Sequence, residues 1–306
     1  EEALESAKKA ISKIDRQTDD TQVLEANKLL IRLSYDSENY TDTIKYAQSL
    51  IGKDKSNDAQ FFGRRYLGHA FMDSNRSKKA IRQYETALKI SSKDKEGEAN
   101  IYFNLGGIFW DLEDFNKSKE SFVACISLIE GENHLYSYLA KAHNNLALLY
   151  YSWEKYSEAL ESFLKAEEIH LKRDCRNCLD CVDLFYEIAN FQRDIMGDEL
   201  AALQYWEKYM SAMKLNGLDK SVDFFITQIQ AGFSANESGL PIKALKYYND
   251  ALANAEKFKN EQIWLGLLYL NRGNSLSILR RHSEALESYL VLLEMIEKTP
   301  SLAEEV

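Results

Sequence analysis

Residues 143–166 read HNNLALLYYSWEKYSEALESFLKA, and the same frame returns four more times along the chain. It recurs as RRYLGHAFMDSNRSKKAIRQYETA at 64–87, YFNLGGIFWDLEDFNKSKESFVAC at 102–125, YEIANFQRDIMGDELAALQYWEKY at 186–209 and YLNRGNSLSILRRHSEALESYLVL at 269–292. On each side of a short polar break, apolar residues stand three and four apart, which places them on one stripe of a helix. A period of about 40 residues built from two such helices specifies a solenoid, in which each hairpin buries its apolar face only by stacking on its neighbours.

Two size-constrained positions fix the register. In the second helix of each unit (helix B) a small residue recurs as Thr43, Ala80, Ser118, Ala159, Ala202, Ala244 and Ala285. Four residues on stand Ala47, Tyr84, Phe122, Phe163, Trp206, Tyr248 and Tyr289. A ring one turn along the same face fills the space that the small residue leaves. Twelve residues before each small anchor, in the first helix (helix A), come Ile31, Gly68, Gly106, Ala147, Asn190, Gly232 and Gly273. Glycine inside a helix costs about 1 kcal/mol against alanine, so its repetition calls for close helix–helix approach. The first and fifth units depart from this rule.

The pattern resembles the tetratricopeptide repeat (TPR), two antiparallel helices per unit, over nearly the whole chain. The resemblance implies an all-α, right-handed superhelical solenoid whose A helices line a concave face. The proline that closes the usual repeat is missing, since the chain has only Pro241 and Pro300. Together with the long period, this predicts a helix B about one turn longer than in the 34-residue form. Units of this length are similar to those of kinesin light chains, LGN-type adaptors, bacterial Rap regulators and Bacteroidetes sensor proteins.

No Gly/Ser- or Pro-rich stretch interrupts the 306 residues, so they read as a single array over 1–306. The expected layout is a partial unit at 1–20, seven helical pairs over about 22–298, and the start of a further unit at 301–306. Both ends read as lying inside the repeat frame, as in a piece of a longer protein. The net charge of −10 argues against nucleic acid as a partner of this segment, because phosphate binding needs a dense basic surface. No apolar run is long enough to insert in a membrane. The compartment stays open: periplasmic for a sensor ectodomain, otherwise cytoplasmic.

Chemistry-bearing motifs are sparse. The five histidines show no HExxH spacing, and neither GxSxG nor a phosphate-binding GxxxxGK[ST] occurs, so no enzymatic activity and no cofactor are expected. Cys175, Cys178 and Cys181 cluster between the fourth and fifth units. Their spacing is compatible with a metal site with His170 as fourth ligand, with a disulfide, or with incidental thiols; no bound metal is expected. Cys125 stands at an Ala-like core position.

The groove is where the TPR resemblance implies binding. With the small helix A residue counted as position 8, groove-facing positions are 2, 5, 6, 9, 12 and 13. An Asn at position 6 or 9 clamps a ligand backbone in peptide-binding members. Position 6 carries Asn104, Asn145 and Asn271, and position 9 carries Asn274. Position 5 adds Arg65, Phe103 and Asn144, and Trp110, Tyr151 and Phe191 supply rings. An amide donates and accepts at once, which suits an extended backbone; the competing reading is that each Asn bonds a neighbouring helix. The Lys/Arg set of a carboxylate clamp for chaperone tails is incomplete, with Lys28, Arg65 and Lys141 in separate units. The expected function is a protein- or peptide-binding module of a larger bacterial regulatory or signalling protein, expected to act through Asn104, Asn144, Asn145 and the rings around them. A constitutive assembly subunit and a kinesin light chain or LGN-like adaptor are the alternatives.

Overall fold

The computed structural model describes residues 4–6, 9, 19–90, 93–172 and 179–306. Among the described residues from Asp20 onward, fourteen α-helices follow one another in adjacent pairs, and no strand occurs among the described residues. The pairs are α1 (Asp20–Asp36) with α2 (Tyr40–Lys53), α3 (Asn57–Asp73) with α4 (Ser77–Leu88), α5 (Lys95–Asp111) with α6 (Phe115–Ile129), and α7 (Tyr136–Ser152) with α8 (Tyr156–Lys172). They continue as α9 (Leu179–Asp194) with α10 (Glu199–Leu215), α11 (Val222–Glu237) with α12 (Pro241–Leu252), and α13 (Gln262–Ile278) with α14 (His282–Lys298). Odd-numbered helices are the A helices. The opening residues of the expected partial unit lie mostly outside the described residues. At the other end, Pro300–Glu304 form a 3-10 turn with Leu302 buried.

Every A-to-B link passes through one residue in the left-handed region, and six of the seven share one closure, the link before the Glu199–Leu215 helix being a residue longer and closing by Asp198 N–H on the Gln192 carbonyl. The residue five before each small anchor has positive φ: Glu38, Asn75, Glu113, Glu154, Gly197, Gly239 and Arg280, between 55° and 73°. In the third pair, Glu113 N–H donates to the Trp110 carbonyl (2.8 Å) and Asp114 N–H to the Phe109 carbonyl (2.9 Å). Such a Schellman closure satisfies carbonyls that the ending helix would leave open. The next residue often caps the B helix: Asn39, Asp114 and Asp198 accept from the N–H three residues on.

The expectation of a uniformly longer helix B needs correction. α8, α10 and α14 run 17 residues, but α4 and α12 run 12. After α12 the period is made up in the following link, with its 3-10 turn at Ala255–Phe258, whereas after α4 the link is no longer than those after α6 and α10 and the repeat itself is shorter.

The helix A glycines receive the helix B rings. A Cβ built on Gly106 would lie 2.5 Å from Phe122 Cε1, and one on Gly68, Gly232 or Gly273 would overlap the ring of Tyr84, Tyr248 or Tyr289. The first pair inverts the sizes: Ile31 replaces the glycine, Ala47 replaces the ring, and both are fully buried in one cluster. The exchange conserves volume across the contact, which keeps the packing dense.

The chain divides into two compact units, Glu1–Ser162 and Phe163–Val306, and the division falls inside α8. The core of the first is built around Phe61, Phe62, Leu67, Tyr84, Ile101 and Leu105. In the second, Trp206 is fully buried, Phe225 stacks on Phe258 at 4.8 Å, and Leu245 packs with Leu276 and Ala285.

Candidate functional site

In the first unit, A helices converge on a pocket of about 310 Å³. Tyr35 and Asp36 come from α1; Arg65, Tyr66, His69 and Met72 from α3; Glu96, Asn100 and Asn104 from α5; and Tyr138 from α7. Nearly all stand at the groove positions of the repeat frame. The floor is aromatic: Tyr66 lies edge-on to Tyr35 (5.7 Å between centroids) and to His69 (5.3 Å).

A hydrogen-bonded network holds this floor in place. His69 Nδ1 and Tyr84 Oη are 2.6 Å apart, and Asn104 Nδ2 approaches them at 3.2 and 3.3 Å. With two donors directed at Nδ1, the imidazole is neutral and carries its proton on Nε2. Burial, with Arg65 adding to it, holds the His69 pKa down at about 3. Asn100 donates to Tyr138 Oη at 3.2 Å, and Tyr35 Oη donates to Asp73 at 2.6 Å. Burial, then the Asp73 carboxylate, pushes the Tyr35 phenol above its usual range.

Of the candidate binding residues named from the sequence, this pocket brings together Arg65 and Asn104, and His69 and Met72, which the same count places at groove positions 9 and 12, line it beside them. Arg65 is not a free cation: Nη1 pairs with Asp94 at 2.9 Å and the guanidinium lies 5.5 Å from the Tyr66 ring centre. Lys28 is likewise paired, with Asp58 at 2.6 Å and Glu25 at 2.8 Å. Asn104 spends its amide N–H groups on neighbouring side chains. Phe103 is half-buried against Phe122 and Tyr138. Trp110 packs on the cluster of Phe122, Leu146 and Leu149, while Tyr151 is 41% exposed. Asn145 makes no side-chain hydrogen bond among the described residues, and Asn144 Oδ1 is buried without a partner.

The second unit has its own A-helix pocket, about 400 Å³, lined by Ile229, Gln230, Phe233, Trp264, Leu267, Leu270 and Asn271, with Arg193 and Val306 at its edge. Asn271 is thus the one sequence candidate placed here. Asn274 instead accepts from Tyr289 Oη at 2.8 Å, tying helix A to helix B. Phe191, expected to face the groove, is core: it is 4% exposed and edge-on to Phe163 at 5.5 Å. Sequence reasoning passed over Tyr35, Tyr66, Asn100, Gln230, Phe233 and Leu270, although the same position count identifies them. Tyr138 and Trp264 precede the counted positions and carry no such signal.

Cys175 and Cys178 lie outside the described residues. Cys181 is buried, and Cys125 packs with Ala99, Ile129, Leu135 and Ala142, burial pushing its thiol up to about 12.

Comparison with known proteins agrees with this geometry. Models of the tetratricopeptide repeat match residues 67–94 and 98–172. The Hsp70-Hsp90 organising protein of Plasmodium falciparum (isolate 3D7) is 25% identical over 115 residues, 37% of this chain and 19% of that protein. The chain therefore spans about a fifth of the length of this relative. The C-terminal part of a TPR repeat-containing protein from Cytophaga hutchinsonii superposes with a TM-score of 0.66 at 12% identity, over 91% of this chain and 99% of that one. BtubC from P. vanneervenii gives 0.53 at 18% identity, over 84% and 92%. The repeat frame, the matched models and the paired helices agree: residues 67–94 and 98–172 carry tetratricopeptide repeats, and the described helices have the paired-helix fold of a TPR protein-interaction scaffold.

Proposed function

We propose that the A-helix face binds an extended segment of a partner protein, and that the first unit's pocket is one of its subsites. The observation that carries this is the convergence of Tyr35, Tyr66, Asn100, Asn104 and Tyr138 from four A helices on one concavity. The ring-lined floor offers apolar surface to a side chain, and the phenols and amides that brace it, their donors engaged with one another, keep acceptor lone pairs for a backbone N–H of the segment. Asn145, with its unengaged amide, belongs to the same reading.

A scaffold role is favoured over catalysis, since the lining groups are spent on one another rather than poised around a reacting atom. A protein partner is favoured over nucleic acid, because Asp36 and Glu96 line the pocket and Arg65 is neutralised. The pairing of Lys28 and Arg65 with carboxylates also disfavours an acidic chaperone tail, despite the name of the Plasmodium relative. The wider setting in this reading is a bacterial regulatory protein, and the sequence flanking the array tests it: a sensor or effector domain supports it, and further repeats alone favour a scaffold.

The site is tested by selecting a displayed random-peptide library on the wild-type protein and measuring the selected peptides against Tyr66→Ala and Asn145→Ala. Losses of tenfold or more in either variant, with helicity retained, support the site. Peptides that bind both variants as wild type would move it to another face.

A further inference from the structure

We propose that the pocket of the second unit takes a bulky apolar side chain, leucine or phenylalanine in class, of a partner segment bound on that unit's own A-helix face. This deepens the groove reading above and rests on it. The walls are Ile229, Phe233, Trp264, Leu267 and Leu270, all but Ile229 half-buried and so still offering surface to a guest. Apolar surface that a guest removes from water favours its binding without needing a polar match.

No unpaired charged side chain lines the pocket to select a charged guest. Arg193 is its one charged side chain, and the guanidinium is already engaged with Asp194 (2.7 Å), Asn190 Oδ1 (3.0 Å) and Gln230 Oε1. Asn271 at the wall has no hydrogen-bond partner among the described residues, which leaves its amide for the backbone of the segment that delivers the side chain. The apolar side chain of Val306 lines this pocket, and its Cγ2 would stand 2.7 Å from a Cβ built on Gly266.

The probes are blocked tripeptides, acetyl-Ala-X-Ala-amide, with X as Leu, Phe, Ser, Lys or Glu, titrated into the full chain labelled with 15N. The chain has four tryptophans, so its indole N–H signals are few, and Trp264→Phe assigns the one that reports this pocket. Leu and Phe peptides are expected to shift the Trp264 signal saturably, with Kd at least about tenfold below the Ser, Lys and Glu peptides. Leu270→Lys should abolish the shift, and Leu270→Met, which keeps the wall apolar, should retain it. Lys or Glu peptides binding as tightly as Leu would overturn the assignment, as would a Trp264 signal that no peptide moves. Should the signal respond only after Val306→Gly, the Val306 side chain is the occupant and the proposal is wrong. If library-selected peptides still bind through Tyr66 or Asn145, only this inference falls; if they bind neither unit's A-helix face, the groove reading falls too.

Discussion

Gly106 and Gly107 are neighbours in α5, yet the same substitution should act on them in opposite directions. A methyl at Gly106 would overlap Phe122, so Gly106→Ala should cost about 1–3 kcal/mol even though alanine is the better helix former. Gly107 has nothing within 4 Å of its would-be Cβ, and Gly107→Ala should gain about 0.5–1 kcal/mol. Urea denaturation of both variants checks the pair. The ring-position tyrosines divide in the same way. Tyr84 Oη joins His69 and Asn104, so Tyr84→Phe strands buried groups and should cost about 1–3 kcal/mol. Tyr248 Oη is buried without a partner, and Tyr248→Phe should be neutral or stabilising by about 1 kcal/mol, read as a shift in Tm. His69 adds a pH dependence. Its folded pKa of about 3 lies below the ordinary 6.5, so between those values the unfolded chain binds a proton that the native protein refuses. The stability this represents is complete above pH 6.5 and is lost as pH falls towards 3, at up to about 1.4 kcal/mol per unit. His69→Gln should flatten the fall in unfolding free energy between pH 7 and 4.5.

At the scale of the element, the A-to-B links hold a residue in the left-handed region seven times, and only twice is it glycine. A side chain there costs about 1–2 kcal/mol, and the hairpin's packing and closing hydrogen bonds hold it in place. Glu113→Gly and Glu154→Gly should therefore each stabilise the protein by about 0.5–1 kcal/mol, while Asn75→Gly should gain less, since Asn tolerates this conformation better. Differential scanning calorimetry of the three variants tests the ranking. These links were only partly readable in advance, because Gly197, Gly239 and Asn75 hint at positive φ while Glu and Arg at the same position do not. The helix registers were, because a ring must meet a small residue wherever two helices approach closely, and that constraint leaves a size pattern in the chain. Even its exception, Ile31 opposite Ala47, is intelligible once both sides of the contact are considered together.

For the whole molecule, the stacking of hairpins on their sequence neighbours localises damage. In the first unit, Gly106→Ala should raise hydrogen exchange most in α5 and α6, less in α3, α4 and α7, and least in α1 and α2. Uniform loss across that unit, measured by mass spectrometry, would instead show it opening as one block. The binding face was half readable for a related reason. The position count found the right helical faces, but what an amide does depends on what stands within 3 Å of it. Asn104 is bound to His69 and Tyr84, and Asn274 to Tyr289, contacts that no local pattern reveals. Phe191 shows the same limit, since its neighbour Phe163 closes over it. The two kinds of link also differ in a way that matters for engineering. A-to-B links hold three residues, or four before Asp198's helix, whereas B-to-A links range from three after α2 to nine between Leu252 and Gln262. Lengthening a loop is cheap, about 0.6 kcal/mol per doubling, unless its geometry is fixed. Splice points for an epitope tag or a fluorescent reporter therefore lie in the B-to-A links, and the same number of residues added at Glu113 or Glu154 would break the hairpin they interrupt.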